Sequence, residues 1–400
     1  YAELVVKVGV NIQKNQFLYI SASTDALDLA RLITKKAYEV GARQVFVDLA
    51  DDQIGRARYE LAPDDSFDFF PEWKVKEREW LAEQGAAFVS IVSQSPDLLK
   101  GIDSKRIATF QKAAGTALNK YRQYVQSDKI SWTVIASPSE AWAEKVFPNL
   151  PKEKQVDALW DAIFKATRSD LDNPVEAWTK HNDTLHEKVH YLNAKKYAKL
   201  RYTAPGTELT IELPKGHLGC GAGSVNEKGE EFMANMPTEE VFTVPHKDGV
   251  NGYVSSTKPL SYGGNIIDNF KITFENGRIT KVEAEQGEEV LKNLVATDEG
   301  SHRLGEVALV PHDSPISNSG LLFYNTLFDE NASNHLAIGS AYAFCLEGGK
   351  KMNREELEAN GLNQSITHVD FMIGSAEMNI DGITEDGKTE PVFRNGNWAF

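Results

Sequence analysis

A chain of 400 residues with 58 acidic and 43 basic side chains carries a formal charge of −15, which opposes phosphate backbones and excludes nucleic acid as an expected partner. Its 41% hydrophobic and 25% charged content is that of an ordinary globular protein, and no apolar run approaches the roughly 18 residues of a membrane span. Two cysteines, Cys220 and Cys345, have no CxxC spacing, so neither a disulfide framework nor a Cys-rich zinc site is expected.

The opening YAELVVKVGVNIQKNQ shows no charged-then-apolar leader pattern, and with the sparse cysteines this suits a cytoplasmic location. Apolar runs then alternate with amphipathic stretches: FLYISAS, TDALDLARLITKKAYEVG, QVFVDLA, a helical segment, and later AAFVSIVS and ISWTVIAS. This alternation predicts an α/β domain with a mostly parallel sheet. Ser23 or Thr24 is placed to cap the first helix and Gly41 to end it. Neither GxGxxG after a strand nor GxxxxGK[ST] occurs in this half, which weighs against nucleotide binding. KEKQVDALWDAIFKATRS and NPVEAWTKHNDTLHEKVHYLNAKKYAKL read as further helices. From about Leu200 short strands and turns take over, as in ELTIELP, NFKITFENGRITKVEAE and TEPVFRNGNWAF, with Asn276-Gly277 the strongest hairpin signal. The expected organisation is an α/β domain over residues 1–197 and a β-rich α+β metal-binding domain over residues 198–400.

All nine histidines lie at or beyond His181, so a histidine-ligated metal belongs to the end of the first domain or to the second. His186-Glu187-x-x-His190 would place two imidazoles one turn apart on a helix, as a single catalytic zinc requires. The extended motif fails, because Asn193 stands where a glycine is needed and Lys196 where the third histidine is needed. No helix follows to supply a glutamate. The plainer reading is a solvated helix with Trp178, Leu185, Val189 and Leu192 as its core stripe.

A second constellation lies downstream. In SITHVDFMIGS, His368 and Asp370 leave the same face of a strand about 7 Å apart, while Val369 and Phe371 point into a core. The alternative is an ordinary polar-alternating surface strand. In DENASNHLAIGSAYAF, His335 and Tyr342 share a side if the segment is helical. Glu306 sits within the apolar RLGEVALVP, where a buried carboxylate needs a partner and a metal would be one. Glu239 and Glu240 are adjacent acids in NMPTEEVFTVP, a pattern more often found exposed.

The ordered series PTEEVFTVP, SHRLGEVALVP, NTLFDENASNHLAIGSAY and THVDFMIGS, followed by DGITEDGK and NGNW, closely resembles the aminopeptidase T family, which includes aminopeptidase S and PepS-type enzymes. The resemblance covers the second domain and continues through the first. It implies a metal-dependent aminopeptidase that releases N-terminal residues from peptides by means of a dinuclear metal-activated water. The implied ligands of two divalent ions (zinc, cobalt or manganese) are Glu240, Glu306, His335, His368 and Asp370, with motif alignment selecting Glu240 over Glu239. Tyr342 matches a tyrosine lining the family's site and would donate to the oxyanion, and Glu239 is left as a proton shuttle. The family also implies a homodimer acting on peptides with a free N-terminus. HLGCGAG, after Lys215, departs from the bulkier Trp-containing stretch of relatives and concerns the substrate pocket. HEKVH matches no motif of the family. The alternatives are a single-zinc protease at His186/Glu187/His190, a dinuclear phosphoesterase with similar ligands, and a metal-stabilised binding protein without turnover.

Overall fold

A computed structural model describes residues 1–400. The early apolar runs form β1 (Phe17–Ser23), β2 (Gln44–Ala50), β3 (Ala87–Val92) and β4 (Trp132–Ala136). They pair entirely in parallel, in the order β2-β1-β3-β4, with helices such as Leu27–Glu39 and Glu72–Glu83 in the connections. Period-two alternation gives the sheet two apolar faces. Leu18, Ile20 and Ala22 of β1 join Leu29 and Ile33 of the first long helix in one cluster, whereas Tyr19 packs with Leu81, Phe88 and Ile130 in another. Each buried Leu or Ile contributes about 1.5–3 kcal/mol relative to its exposed state. Ser23 occupies the cap position of a single 3₁₀ turn, Thr24–Ala26, without a side-chain cap bond, and the following helix stops before the left-handed Gly41.

The later chain is strand-rich. A nine-stranded sheet includes Lys199–Ala204, Thr207–Glu212, Val250–Ser255, Asn265–Glu275, Arg278–Gln286 and Asn379–Ile383. Its hairpin at Asn276-Gly277 has both residues at positive φ, 49° and 80°, as a type I′ turn demands. The site lies on a second sheet built from β5 (Cys220–Gly221), β6 (Val241–Thr243), β7 (Leu304–Leu309), β8 (His335–Gly339) and β9 (His368–Met372). Their order is β9-β8-β7-β6-β5, each pair antiparallel.

Residues opposite one another across a ladder share a face, so the register sorts the side chains. Glu306 opposes Ala337, which opposes Asp370; Phe242 opposes Ala308, which opposes His335. All of these look to one side. Val307, Leu309, Leu336, Ile338 and Phe371 look to the other and join the large core with Phe270, Phe274 and Phe393. The ladder between β7 and β8 slips between Leu304 and Glu306, at Gly305. A Cβ on Gly305 would lie 2.3 Å from the Ser340 carbonyl oxygen, so only glycine permits the close approach that seats Glu306 opposite Ala337.

The His335 segment departs from the helical expectation and is a strand. Its five residues are all buried and are paired on both edges, and this tertiary pairing overrides the helix propensity of Leu336 and Ala337. By contacts the chain forms two compact units. One comprises Tyr1–Asp183, Ala222–Thr238 and Gly263–Asn265, and the other Thr184–Gly221, Glu239–Tyr262 and Ile266–Phe400.

Within the second unit Glu390 accepts hydrogen bonds from Lys195 Nζ at 2.7 Å and from the Tyr197 hydroxyl at 3.0 Å, and it also binds Lys388. The lysines, first Lys195 and then Lys388, hold its carboxyl down to about 2. A depressed folded-state pKa stabilises the fold above the ordinary glutamate range, and that stabilisation is lost as pH falls toward 2. Glu390→Gln is therefore expected to lower the urea midpoint at neutral pH, with the gap from the parent protein closing as the medium is acidified below about 4.5. A gap that does not change with pH contradicts this.

Candidate metal centre

Six ionisable side chains converge on the polar face of the five-stranded sheet. β7 supplies Glu306, β8 supplies His335, and β9 supplies His368 and Asp370; Glu240 directly precedes β6, and Glu330 lies in the 3₁₀ turn Glu330–Ala332 before β8. His335 Nε2 lies 3.0 Å from Glu240 Oε2 and 3.7 Å from Glu306 Oε1. His368 Nε2 lies 3.1 Å from Glu306 Oε2 and 3.4 Å from Asp370 Oδ1. The Glu306 carboxylate thus stands between two imidazoles, one oxygen toward each.

The far nitrogens fix the rings. His335 Nδ1 donates to the Glu330 carbonyl oxygen at 2.9 Å, and His368 Nδ1 donates to that of Ser340 at 2.8 Å. Carbonyls can only accept, so Nδ1 carries a proton and each Nε2 is turned into the cluster, the nitrogen that a metal-ligating histidine would offer once its proton gives way to an ion.

Burial makes the electrostatics severe. Glu240, Glu306 and Glu330 are each less than a tenth exposed. Burial first, and then Glu306 and Asp370, raises the Glu240 carboxyl against the opposing pull of His335. Burial and the repulsion of Asp370 and Glu240 lift Glu330 well above the usual range. For both histidines burial alone would lower the pKa. It is outweighed at His335 by hydrogen bonds to Glu240 and Glu306, and at His368 by Asp370 and Glu306, so both are raised well above 6.5. Burial would raise Asp370, but His368 prevails and lowers it. The imidazolium protons stand where external cations would otherwise act.

The donor set fits divalent ions. Three overlapping groups have ligand atoms within 4.8 Å of one another: Glu240, Glu306 and His335; Glu306, His368 and Asp370; and Glu330, His335 and Asp370. Asp370 Oδ1 is sealed from solvent and faces His368 Nε2 at 3.4 Å without a well-formed hydrogen bond, a position a shared cation would occupy. Imidazole with several carboxylates suits zinc, cobalt or manganese.

Tyr342 reaches the same place. Its ring lies 4.8 Å from that of His368, and burial together with the charges of Glu306, Asp370, Glu240 and Glu330 pushes its hydroxyl well above 10. Glu239 is also buried; its backbone N–H donates to Asn331 Oδ1 at 2.7 Å, and it belongs to none of the three groups. Glu330 is the member that sequence reasoning missed. Asp-Glu-Asn before Ala332 reads as a solvated turn, and the available signal was its position five residues ahead of His335 in a stretch that proves buried throughout.

HEKVH is not part of this arrangement. On the helix Pro174–Lys195 the rings of His186 and His190 stack 6.3 Å apart, with Glu187 and His190 exposed, and neither histidine enters a group able to share an ion. A His186→Ala, His190→Ala double variant is expected to keep its activity and metal content within about twofold, as surface substitutions usually do. Parallel assays and metal analysis check this.

A family model described as thermophilic metalloprotease (M29) matches residues 1–398. The chain belongs to peptidase family M29. It is 68% identical to aminopeptidase AmpS of Bacillus subtilis over 400 residues, covering 100% of this chain and 98% of that protein. To aminopeptidase 2 of Geobacillus stearothermophilus it is 53% identical, with 100% and 97% covered. The solved structure of wild-type AmpT from Thermus thermophilus superposes with a TM-score of 0.91 at 42% identity, covering 100% of this chain and 98% of that one. Membership in a metalloprotease family, beside a buried Glu/His/Asp cluster, leaves the single-zinc reading of HEKVH without support.

Proposed function

We propose that this chain is a metal-dependent aminopeptidase that releases N-terminal residues from peptides, with two divalent ions held by Glu240, Glu306, His335, His368 and Asp370, and with Glu330 as a sixth ligand. One observation carries the reading: Glu306 directs one oxygen toward His335 and the other toward His368, so that one carboxylate belongs to two neighbouring ligand groups and would serve both when ions are bound. Charge balance supports two ions, because Glu240, Glu306, Glu330 and Asp370 with neutral imidazoles sum to four negative charges in a buried space. Zinc, cobalt and manganese all suit these donors. When bound, such ions supply Lewis acidity toward a carbonyl oxygen and lower the pKa of water.

The chain's own groups do the rest. Tyr342 stays protonated at neutral pH and donates a hydrogen bond to the developing oxyanion. Glu239 takes a proton and returns it to the leaving amine. The remaining carboxylate oxygens hold the substrate's α-ammonium group, which selects a free N-terminus over an internal bond. Tyr342→Phe is expected to lower kcat by about 10²–10³-fold with little change in KM. Glu239→Gln should lower kcat by about 10²-fold or more with little change in KM. Unchanged kcat in either variant removes that role.

Catalysis is assigned to residues 198–400, which contain all of these side chains, with residues 1–197 as the α/β partner domain. The working form is a homodimer in the cytoplasm. Support comes from β2, an edge strand whose Val47 and Leu49 are both more than 40% exposed, and from two free cysteines; no helix is long and apolar enough to cross a membrane. Sedimentation as a monomer at micromolar concentration would refute the dimer. The decisive assay is a panel of aminoacyl anilides, an N-blocked anilide and a phosphate ester, with and without chelator. Turnover of unblocked anilides alone, abolished by chelator, is the expected result, and turnover of the ester instead would make the centre a phosphoesterase.

A further inference from the structure

After β8 the chain runs through Gly339, Ser340 and Ala341 as a short strap that leads to Tyr342, and the middle residue of that strap holds one imidazole of the centre. His368 Nδ1 donates to the Ser340 carbonyl oxygen at 2.8 Å. Gly339 stands directly opposite His368 in the ladder, and a Cβ on it would lie 2.2 Å from the Thr367 carbonyl oxygen, so only glycine lets the strap pass this close to β9.

One residue grips the strap on both sides of Ser340. Asn363, which is 4% exposed, donates from Nδ2 to the Gly339 carbonyl oxygen at 2.6 Å, and its main-chain carbonyl oxygen accepts from the Ala341 N–H at 2.9 Å. Nδ2 also donates to the Gly300 carbonyl oxygen at 2.7 Å, in the 3₁₀ turn Gly300–His302 that leads into β7 and Glu306. The Ser340 N–H itself donates to the Thr367 carbonyl oxygen at 2.8 Å. Ser340 is thus bound through its own N–H and through both neighbours, and its carbonyl is turned to the imidazole.

Asparagine suits this position because its amide nitrogen carries two N–H groups, one for each carbonyl, and adds no charge near buried carboxylates. An ionised aspartate would donate nothing. The support behind Asn363 is also rigid: Leu362 is fully buried, and its N–H donates to the Leu357 carbonyl oxygen at the end of the helix Arg354–Ala359. His335 is held separately, through the Glu330 carbonyl oxygen, and none of the groups bonded to Asn363 belongs to that turn.

We propose that Asn363 is a positioning residue: through Ser340 and Ala341 it sets the ring of His368 and the placement of Tyr342. It thereby governs the ion assigned to Glu306, His368 and Asp370 and leaves the ion of Glu240, Glu306 and His335 in place. The groups behind a ligating histidine fix its ring orientation, and losing one costs about 10–100-fold in metal affinity or activity. The consequence for the ions rests on the two-ion aminopeptidase reading, whereas the hold on His368 does not.

The test compares the full-length parent protein with Asn363→Ala and with Asn363→Asp, which keeps the shape if the alanine variant does not fold. Proton–nitrogen spectra of histidine-labelled, metal-free protein follow the Nδ1–H signals of His335 and His368, assigned from the His335→Ala and His368→Ala proteins. Calorimetry with zinc counts and ranks the ions taken up, and rates on a leucyl anilide separate kcat from KM. In either variant the His368 signal should shift or exchange away while that of His335 stays. One ion should bind about 10-fold or more weakly with the other within about twofold of the parent, and kcat should fall by about 10–100-fold with little change in KM. Both signals unmoved, both lost together, or both ions weakened equally would overturn the positioning role. A parent protein that takes up fewer than two ions or cleaves no anilide would instead overturn the two-ion aminopeptidase reading, and the His368 signal would still decide whether Asn363 holds that ring.

Discussion

Replacing His335 with alanine is expected to lower kcat/KM on a leucyl anilide by about 10³-fold or more and to reduce the bound metal, because several kcal/mol of charge stabilisation would be lost at the reacting carbonyl. His335 belongs to two of the three overlapping ligand groups, and its Nε2 lies within 4 Å of both Glu240 and Glu306. Its loss would leave those carboxylates, and Glu330 nearby, facing one another with one fewer neutralising partner. Its Nδ1–H is also bonded to the Glu330 carbonyl oxygen, so the turn carrying Glu330 would lose an anchor. His368→Ala should behave likewise through Glu306 and Asp370. The measurement pairs steady-state rates with elemental analysis of the same preparation. A His335→Ala protein with full metal content and undiminished rates would sink the proposed ligand set.

Removing the metal from the parent protein should abolish activity and lower its melting temperature, whereas Glu330→Gln should raise the stability of the metal-free protein. Ions that bind only the folded state stabilise it by about 2.7 kcal/mol at a hundredfold excess over Kd, a shift of at least a few degrees in melting temperature. The opposite sign for Glu330→Gln follows from geometry. Glu330 is buried beside Asp370, Glu240 and Glu306, and no cation side chain is built against it apart from the imidazole of His335. Neutralising it removes like-charge repulsion from a space with little solvent screening, while an amide keeps nearly the same shape. The variant should therefore melt above the parent in chelator at pH 8 and gain less from added metal. If it melts below the parent in chelator, the crowded carboxylates are stabilised by contacts of their own, and the argument for two compensating ions loses its main support.

Much of the fold and part of the centre are legible in the order of the amino acids. The alternating apolar runs mark the parallel sheet and Asn276-Gly277 marks the later hairpin, because both signals are carried by neighbouring residues. His368-x-Asp370 is legible for the same reason: a period of two places both side chains on one face whatever the strand pairs with. The aminopeptidase family is visible in long ordered motifs, and family membership agrees with it. The strand at His335 is not legible in this way, since Leu336, Ala337 and Ile338 carry no local mark that separates a buried strand from a helix.

What the sequence alone determined was therefore the inventory: which short segments alternate, where the chain turns, and that imidazoles and carboxylates are concentrated in the later half. The tertiary structure decided which of them meet. It brought Glu330 into the centre, directed Glu240 rather than Glu239 toward His335, joined Glu306 to both imidazoles across three strands, and left His186 and His190 on a helix flank. The physical reason is register. A strand's side chains alternate between faces, so which of two adjacent acids looks inward depends on pairing with segments far away in the chain, and no local pattern encodes that pairing.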